Sequence, residues 1–255
     1  MKPFLYGTLI GILGGLIGLG GAEFRLPVLT FIFEFSTIHA VIINLIISWI
    51  TVASSLIFRW ESWGAIDAYL PIVATLLSGS LIGASAGVSL ASRINEKKLD
   101  KIVAVLLGIL ALVMFIEAAI HFDPLKLNSI ALSLLGLCAG IIIGLFSSML
   151  GVAGGELIIP TIALLYGIDI KIAGMLSLMI SLPTIMIGLY RYRNKNSFTI
   201  VRPNIKFISL MGAGSIAGAF IGKSMLGIVS SSMLQIFLAI ILSLSAIKLY
   251  KKAVA

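Results

Sequence analysis

Long apolar runs alternate with short charged interruptions along this chain. The runs are about 18 to 25 residues long, the length that crosses a hydrocarbon core of roughly 30 Å as helix. Their order predicts a glycine-rich segment at 4–34 followed by spans at 37–58, 68–92 and 98–121. A second glycine-rich segment at 130–166 leads spans at 171–190, 204–222 and 227–249. Counting the leading segment as the first, the third and fourth segments of each half carry Gly, Ala and Ser at four-residue spacing. Small residues at that interval let helices approach closely, and the same reading applies to Gly7, Gly11, Gly14, Gly15, Gly140 and Gly144.

The two halves are copies of one unit. Gly7, Gly11, Gly18, Gly21, Glu23 and Pro27 fall on Gly140, Gly144, Gly151, Gly154, Glu156 and Pro160 at a constant shift of 133 positions. The register carries on through Ala40, Leu45, Ser48 and Thr51 onto Ala173, Leu178, Ser181 and Thr184. After a small indel, Gly83, Ala84 and Gly87 face Gly218, Ala219 and Gly222. Apolar residues match by chance in any membrane protein, whereas a matched set of glycines, a carboxylate and a proline does not. The chain therefore reads as one transmembrane domain made of repeat 1 (1–125) and repeat 2 (126–255), all-α and polytopic.

Composition supports lipid as the solvent. Of 255 residues 60% are hydrophobic and 11% charged, against roughly 25% charged in soluble domains. The net charge of +8 is not a nucleic-acid footprint, because its Lys and Arg cluster in short loops at 92–101 and 191–206 and in the tail at 248–252. Cys138 stands alone in an apolar run, which excludes a disulfide framework and a cysteine metal site and predicts a buried, inert thiol. Met1 to Ala22 imitates a signal peptide, but the same pattern recurs in mid-chain, so it is read as a structural segment.

Charge also sets sidedness. The basic loops and tail are expected in the cytoplasm, together with both termini, in the cytoplasmic membrane. The two loops can share a side only if 130–166 makes no net crossing. That segment, and by repetition 4–34, is therefore expected to be a re-entrant helix–break–helix hairpin. Each half then makes three net crossings, an odd number, so the halves have inverted topology, the plan of many secondary transporters.

The hairpins hold Gly18-Leu19-Gly20-Gly21-Ala22-Glu23-Phe24-Arg25-Leu26-Pro27 and Gly151-Val152-Ala153-Gly154-Gly155-Glu156-Leu157-Ile158-Ile159-Pro160. Clustered glycines permit unusual backbone angles, and the residue before a proline avoids helical geometry, so Pro27 and Pro160 are expected to mark a helix break. Freed N–H groups at a following helix N-terminus make an anion cradle, and two cradles entering from opposite sides meet near the midplane. The paired, proline-closed hairpin resembles the TauE/SafE family, also called TSUP, the 4-toluene sulfonate uptake permease family, over essentially the whole chain. The resemblance implies transport of sulfur-containing anions such as sulfite, sulfonates, sulfoacetate or thiosulfate. It carries the motif onto Gly18, Gly20, Gly21, Pro27, Gly151, Gly154, Gly155 and Pro160. Ala22 and Ala153 depart from a longer glycine run.

Ionisable groups at membrane depth default to a functional reading. Arg25 is a candidate bidentate donor to a sulfur oxyanion, and Glu23 and Glu156 are candidates for proton coupling. The alternative is a structural pair with Arg25 or a capping contact for Glu23, and a cap on the second half-helix for Glu156. Ile158 stands where a second arginine would be. Asn44 and its equivalent Ser177, with Ser48 and Ser181 one turn further on, are candidate side-chain donors to the anion, and Ala22 is a candidate binding residue as part of the first backbone cradle. His39 and His121 fall at span ends and read as interfacial. Trp49 is mid-span, and Trp60 and Trp63 suit an aromatic belt. No His, Cys or carboxylate cluster has ligand spacing, so neither cofactor nor metal is expected. The partners are a small anion, the bilayer and, in one reading, further copies of the chain. A passive anion channel is the alternative, as is a scaffold without transport. Ser85 in Gly83-Ala84-Ser85-Ala86-Gly87 matches G-x-S-x-G and raises an intramembrane serine protease, although the strand–turn–helix context that motif needs is absent.

Overall fold

The computed structural model describes residues 1–90, 96–120, 128–193 and 197–254; His121 and parts of the loops at 92–101 and 191–206 lie outside the described residues. Among them the chain is helical throughout, without strands. The first half holds α1 (Lys2–Ile17), α2 (Ala22–Pro27) continued by a π-helical turn (Val28–Ile32), α3 (Thr37–Phe58), α4 (Leu70–Leu90) and α5 (Glu96–Ile120). The second holds α6 (Ser129–Leu150), α7 (Gly155–Tyr166), α8 (Ile170–Arg193), α9 (Ile205–Met225) and α10 (Ser231–Val254). Six helices among the described residues are long and apolar enough to cross a membrane, namely His39–Phe58, Asp67–Leu90, Ser129–Met149, Ile170–Arg193, Ile205–Met225 and Ser231–Lys248. Of these, Ser129–Met149 is expected from the sequence as one leg of a hairpin, and the span expected at 98–121 gives only the shorter apolar stretch Leu107–Ile116.

The distribution of side chains is that of a protein in lipid. Ile109, Leu112, Leu134, Ile142, Phe237 and Leu244 point outward and are exposed, while Arg25, Asn44, Ser48, Thr51, Glu156 and Ser177 are buried. Cys138, expected to be buried, is exposed on α6. An apolar run does not distinguish a protein-facing from a lipid-facing position, because lipid tails and core are equally apolar. Trp49 likewise sits mid-helix on an outer face, 37% exposed, and Trp60 lies exposed just past the end of α3.

Both glycine-rich segments are hairpins. Tyr166, at the end of α7, donates its hydroxyl to the carbonyl of Leu132 near the start of α6 at 3.3 Å. In the first half Phe33, beyond the π-helical turn, meets Tyr6 of α1 edge to face at 5.9 Å. Each second leg therefore returns to the level at which the first began.

The legs are not docked within their own half. α1 lies along α9, and α6 lies along α4. Gly7, Gly11 and Gly15 press against the backbone of Met211, Ser215 and Ala219, and Gly79, Gly83 and Gly87 against Leu137, Ile141 and Leu145. In both seams the numbering rises together, so the paired helices are parallel, and a Cβ at these glycines would collide with backbone. The fourth segments behave differently from expectation. α5 and α10 pack on each other, yet Gly108 faces open space, and the buried residues there include Leu107, Ala111, Met114, Leu238 and Leu242.

α3 and α8 form the centre. Gly174, early in α8, faces the guanidinium of Arg59 just past the end of α3, and Gly188, late in α8, faces Leu45, early in α3. These two equivalent helices thus run antiparallel.

Candidate functional site

Glycine alone interrupts the hairpin helices. α1 ends on Gly18 at φ 93° and α6 on Gly151 at φ 68°, each in the left-handed region, with their N–H groups turned back to Gly14 and Ser147. The next helices start on Gly21 (φ 74°) and Gly154 (φ 80°), and neither start carries a side-chain cap. The first N–H groups of a helix have no partner within it; among them those of Glu23 and Glu156 lie near the Glu23 carboxyl.

The prolines play a different part from the one expected. α7 runs uninterrupted through Pro160, so the break lies upstream, at Gly151–Gly154. Residues Gly155–Pro160 of this helix are buried, and the proline costs it one backbone hydrogen bond. Pro27 ends α2, but the chain continues directly into the π-helical turn. A proline cannot donate to the carbonyl four residues back, and the wider i→i+5 pattern accommodates that defect, as in the bond from Phe33 N to Val28 O at 3.2 Å.

The two breaks meet. A Cβ on Gly155 would lie 2.9 Å from Leu19 Cα, and one on Gly20 would lie 3.6 Å from Ala153 Cβ. Gly20 and Ala153 are equivalent residues of the repeat, so the halves touch at corresponding points. Asn44 pins the two loops together: its amide donates to Ala22 O at 3.0 Å and to Gly151 O at 2.9 Å.

Arg25 is wholly buried beside this junction. Its Nη1 donates to Asn44 Oδ1 (3.3 Å) and Ser48 Oγ (2.8 Å). Its Nη2 donates to Gly20 O, Thr51 Oγ1 and Ser215 Oγ, all at 3.3 Å. Nε has no partner. A bidentate approach by an anion therefore requires release of some of these bonds. Both carboxyl oxygens of Glu23 are shielded and lack a hydrogen-bond partner, as does Oε2 of Glu156. The two carboxyl groups lie within electrostatic reach of each other, and Glu23 of Arg25 as well.

In the second half Ile158, also buried, leaves the equivalent polar face without a guanidinium. Ser177 and Ser181 are buried with hydroxyls that find no partner. Thr184 bonds Ser80 at 2.8 Å, the counterpart of the Thr51 and Ser215 pair around Arg25. Thr51, Ser215, Thr184 and Ser80 were not among the candidate donors, although Thr51 and Thr184 stand in the matched register of the repeat. Thr51 and Thr184 follow Ser48 and Ser181 by three residues on one helix face, a signal that was available. Ser80 and Ser215 hide among the small residues of the glycine seams. His39 is half-buried at the start of α3.

Ser85 belongs elsewhere. It lies on α4, and its hydroxyl donates to Leu81 O at 2.8 Å, back into its own helix. Gly83 and Gly87 on either side form the seam with α6. Ser85→Ala is expected to leave anion flux unchanged and to shift stability by less than about 0.5 kcal/mol, read by proteoliposome uptake and thermal unfolding. Labelling by a fluorophosphonate would instead mark a reactive serine.

Among the described residues no group of three or more His, Cys, Asp or Glu gathers as metal ligands. What converges is a set of amide, hydroxyl and guanidinium donors between two helix starts. Residues 4–249 match the sulfite exporter TauE/SafE family. The chain belongs to that family. It is also similar to a probable membrane transporter protein of Methanocaldococcus jannaschii, 29% identical over a 255-residue alignment that covers 93% of this chain and 90% of the relative. No solved structure gives a significant match. This TauE/SafE protein is accordingly a multi-pass membrane transporter, and the donors described above lie where its two halves touch.

Proposed function

We propose that this protein carries a small sulfur-containing oxyanion, of the sulfite, sulfonate, sulfoacetate or thiosulfate type, through a site between its two glycine breaks. The observation that carries the reading is the contact of the two uncapped helix starts beside Arg25, with Ser177 and Ser181 unpartnered. Main-chain amides at a helix start suit an anion, and the buried guanidinium supplies the charge that small oxyanions require once stripped of water. The hydroxyls of Ser177 and Ser181, with no bond to surrender, are the readiest additional donors. Gly18, Gly20, Gly21, Ala22, Gly151, Gly154 and Gly155 shape the cradles, and Asn44 and Ser48 hold Arg25 in place.

Residues 1–125 and 126–255 act in this reading as inverted repeats that rock about the central contact and open it alternately to each side. The antiparallel course of α3 and α8 supports that plan. The basic loops face the cytoplasm, both termini lie inside, and the membrane is the cytoplasmic one. Glu23 and Glu156, close together at the junction, are the groups that would take up a proton in transit.

Thermal-shift measurements on the purified protein with sulfite, sulfate, thiosulfate, taurine and sulfoacetate test the substrate class. Specific stabilisation by one of them, together with saturable flux in proteoliposomes, is the expected result. Ser177→Ala and Ser181→Ala should each raise the half-saturation concentration by about five- to tenfold, the worth of one hydrogen bond to an anion. Linear, unsaturable flux would instead describe a channel, and no response to any of the five anions would overturn the assignment.

A further inference from the structure

A second buried guanidinium lies outside the central site. Arg59 follows the last residue of α3 and is 2% exposed. Its Nη2 donates to the carbonyls of Gly15 at 2.6 Å and Leu16 at 3.3 Å, in the last turn of α1. Nε has no partner. The acid nearest in sequence, Glu61, is exposed and bound to Lys223 at 3.3 Å. One turn earlier on the same face of α3, Ser55 is 1% exposed and its hydroxyl also lacks a partner.

The repeat supplies the control. The residue equivalent to Arg59 is Tyr192, whose hydroxyl donates to Ser148 O at 3.3 Å, and Ser148 is the equivalent of Gly15. Holding the end of the first hairpin leg therefore needs only a neutral donor. Ser55 is matched by Gly188. One half thus carries a fixed positive charge and a spare hydroxyl where the other carries neither. A cation near a helix C-terminus is favourable, but a buried one without a counter-charge is costly, and the Tyr192 arrangement avoids that cost.

We propose that the Arg59 guanidinium and the Ser55 hydroxyl form a second oxyanion site, at the end of α3 and on one side of the transporter only. It takes a small oxyanion such as sulfite or sulfate and holds it beside the first glycine break before transfer to the centre. This site rests on the anion-carrier reading for its role, not for its existence. Arg59 and Ser55 lie one turn apart on α3 with Nε and Oγ both buried and unpartnered. Gly174 is the close neighbour of the guanidinium, since a Cβ there would come within 3.5 Å of Arg59 Nη1.

Trp60, the next residue, is exposed and reports on the site. With Trp49→Phe and Trp63→Phe as background, titration of the purified full chain with sulfite and with sulfate should give a saturable change in Trp60 fluorescence. Arg59→Tyr, which copies the second half's own arrangement, should weaken that binding at least tenfold, and Ser55→Ala about threefold. Gly154→Val, which alters only the central cradle, should leave it intact. A signal that is unsaturable, or that is equal in Arg59→Tyr, overturns the site. Were Arg59→Tyr not to fold, Tyr192→Arg with Trp60→Phe and Tyr190→Trp provides the converse test. It should create saturable anion binding at the other end, and its absence counts equally against the proposal. Saturable Trp60 binding without any transport would leave the Arg59 site standing and remove the carrier assignment. Transport with no Arg59-dependent binding would do the reverse.

Discussion

Arg25→Met is expected to abolish anion flux, by at least about 100-fold, and to destabilise the fold by about 3–5 kcal/mol, the usual cost of removing one partner from a buried charged network. Methionine matches the length of the arginine stem but carries no donor. Asn44 Oδ1 and Gly20 O then lose the N–H groups that satisfy them, and the hydroxyl oxygens of Ser48, Thr51 and Ser215 lose their donor. The central site also loses its fixed charge. Arg25→Lys separates the two effects. It restores the charge without the planar fork that reaches both α3 and α9, so stability should recover more than flux. Thermal unfolding and proteoliposome uptake give both values, and parental flux in Arg25→Met would remove Arg25 from the mechanism.

Valine at Gly154 is expected to give a folded protein that does not transport, whereas valine at Gly18 is expected to prevent assembly. Both glycines are left-handed, and a residue with a Cβ costs roughly 1–2 kcal/mol there, more when β-branched. They differ in what surrounds them. A Cβ on Gly154 would meet the Ser147 side chain at 3.1 Å, which can turn away, while one on Gly18 would lie 2.7 Å from Gly174 Cα and closer still to its carbonyl oxygen. Gly21→Val falls between, with Ile10 Cγ2 at 2.6 Å and Ile10 O at 2.9 Å. Expression and monodispersity in detergent read assembly; anion-induced stabilisation and flux read the cradle. Full transport by Gly154→Val would show that the break has no part in binding.

The helices were legible because long apolar runs bounded by charge admit few readings, and their boundaries lie within a few residues of those expected. Which of them cross was less so, since Ser129–Met149 is of membrane-spanning length and the span expected at 98–121 is not among those that are. The hairpins followed from charge counting together with the repeat, and Tyr166 against Leu132 gives them physical form. Other features were not legible, each for its own reason. The role of Pro160 differs from the one expected because local preference gives way to the buried surroundings in which α7 continues through it. The outward position of Cys138 could not be read, since hydropathy cannot tell lipid from core. Gly11 and Gly83 were recognisable as contact residues, but their partners lie in the opposite half, and one sequence contains no signal for which seam pairs with which. At the site, the face formed by Asn44, Ser48 and Thr51 was visible as a spacing. Its engagement with Arg25 was not, because the fork has five acceptors and only the fold decides which are near. Arg59 was overlooked for a related reason: a basic residue at the end of a span reads as interfacial until its burial is known.

The crossed docking of α1 on α9 and of α6 on α4 bears on biogenesis. During synthesis the first helix leaves the ribosome long before its partner exists, and its seam of Gly7, Gly11 and Gly15 has nothing of its own half to close upon. The N-terminal portion must wait in the bilayer as a loose intermediate until nearly the entire polypeptide has been inserted. Separately expressed halves should then be poor folders alone yet able to complement each other when made together.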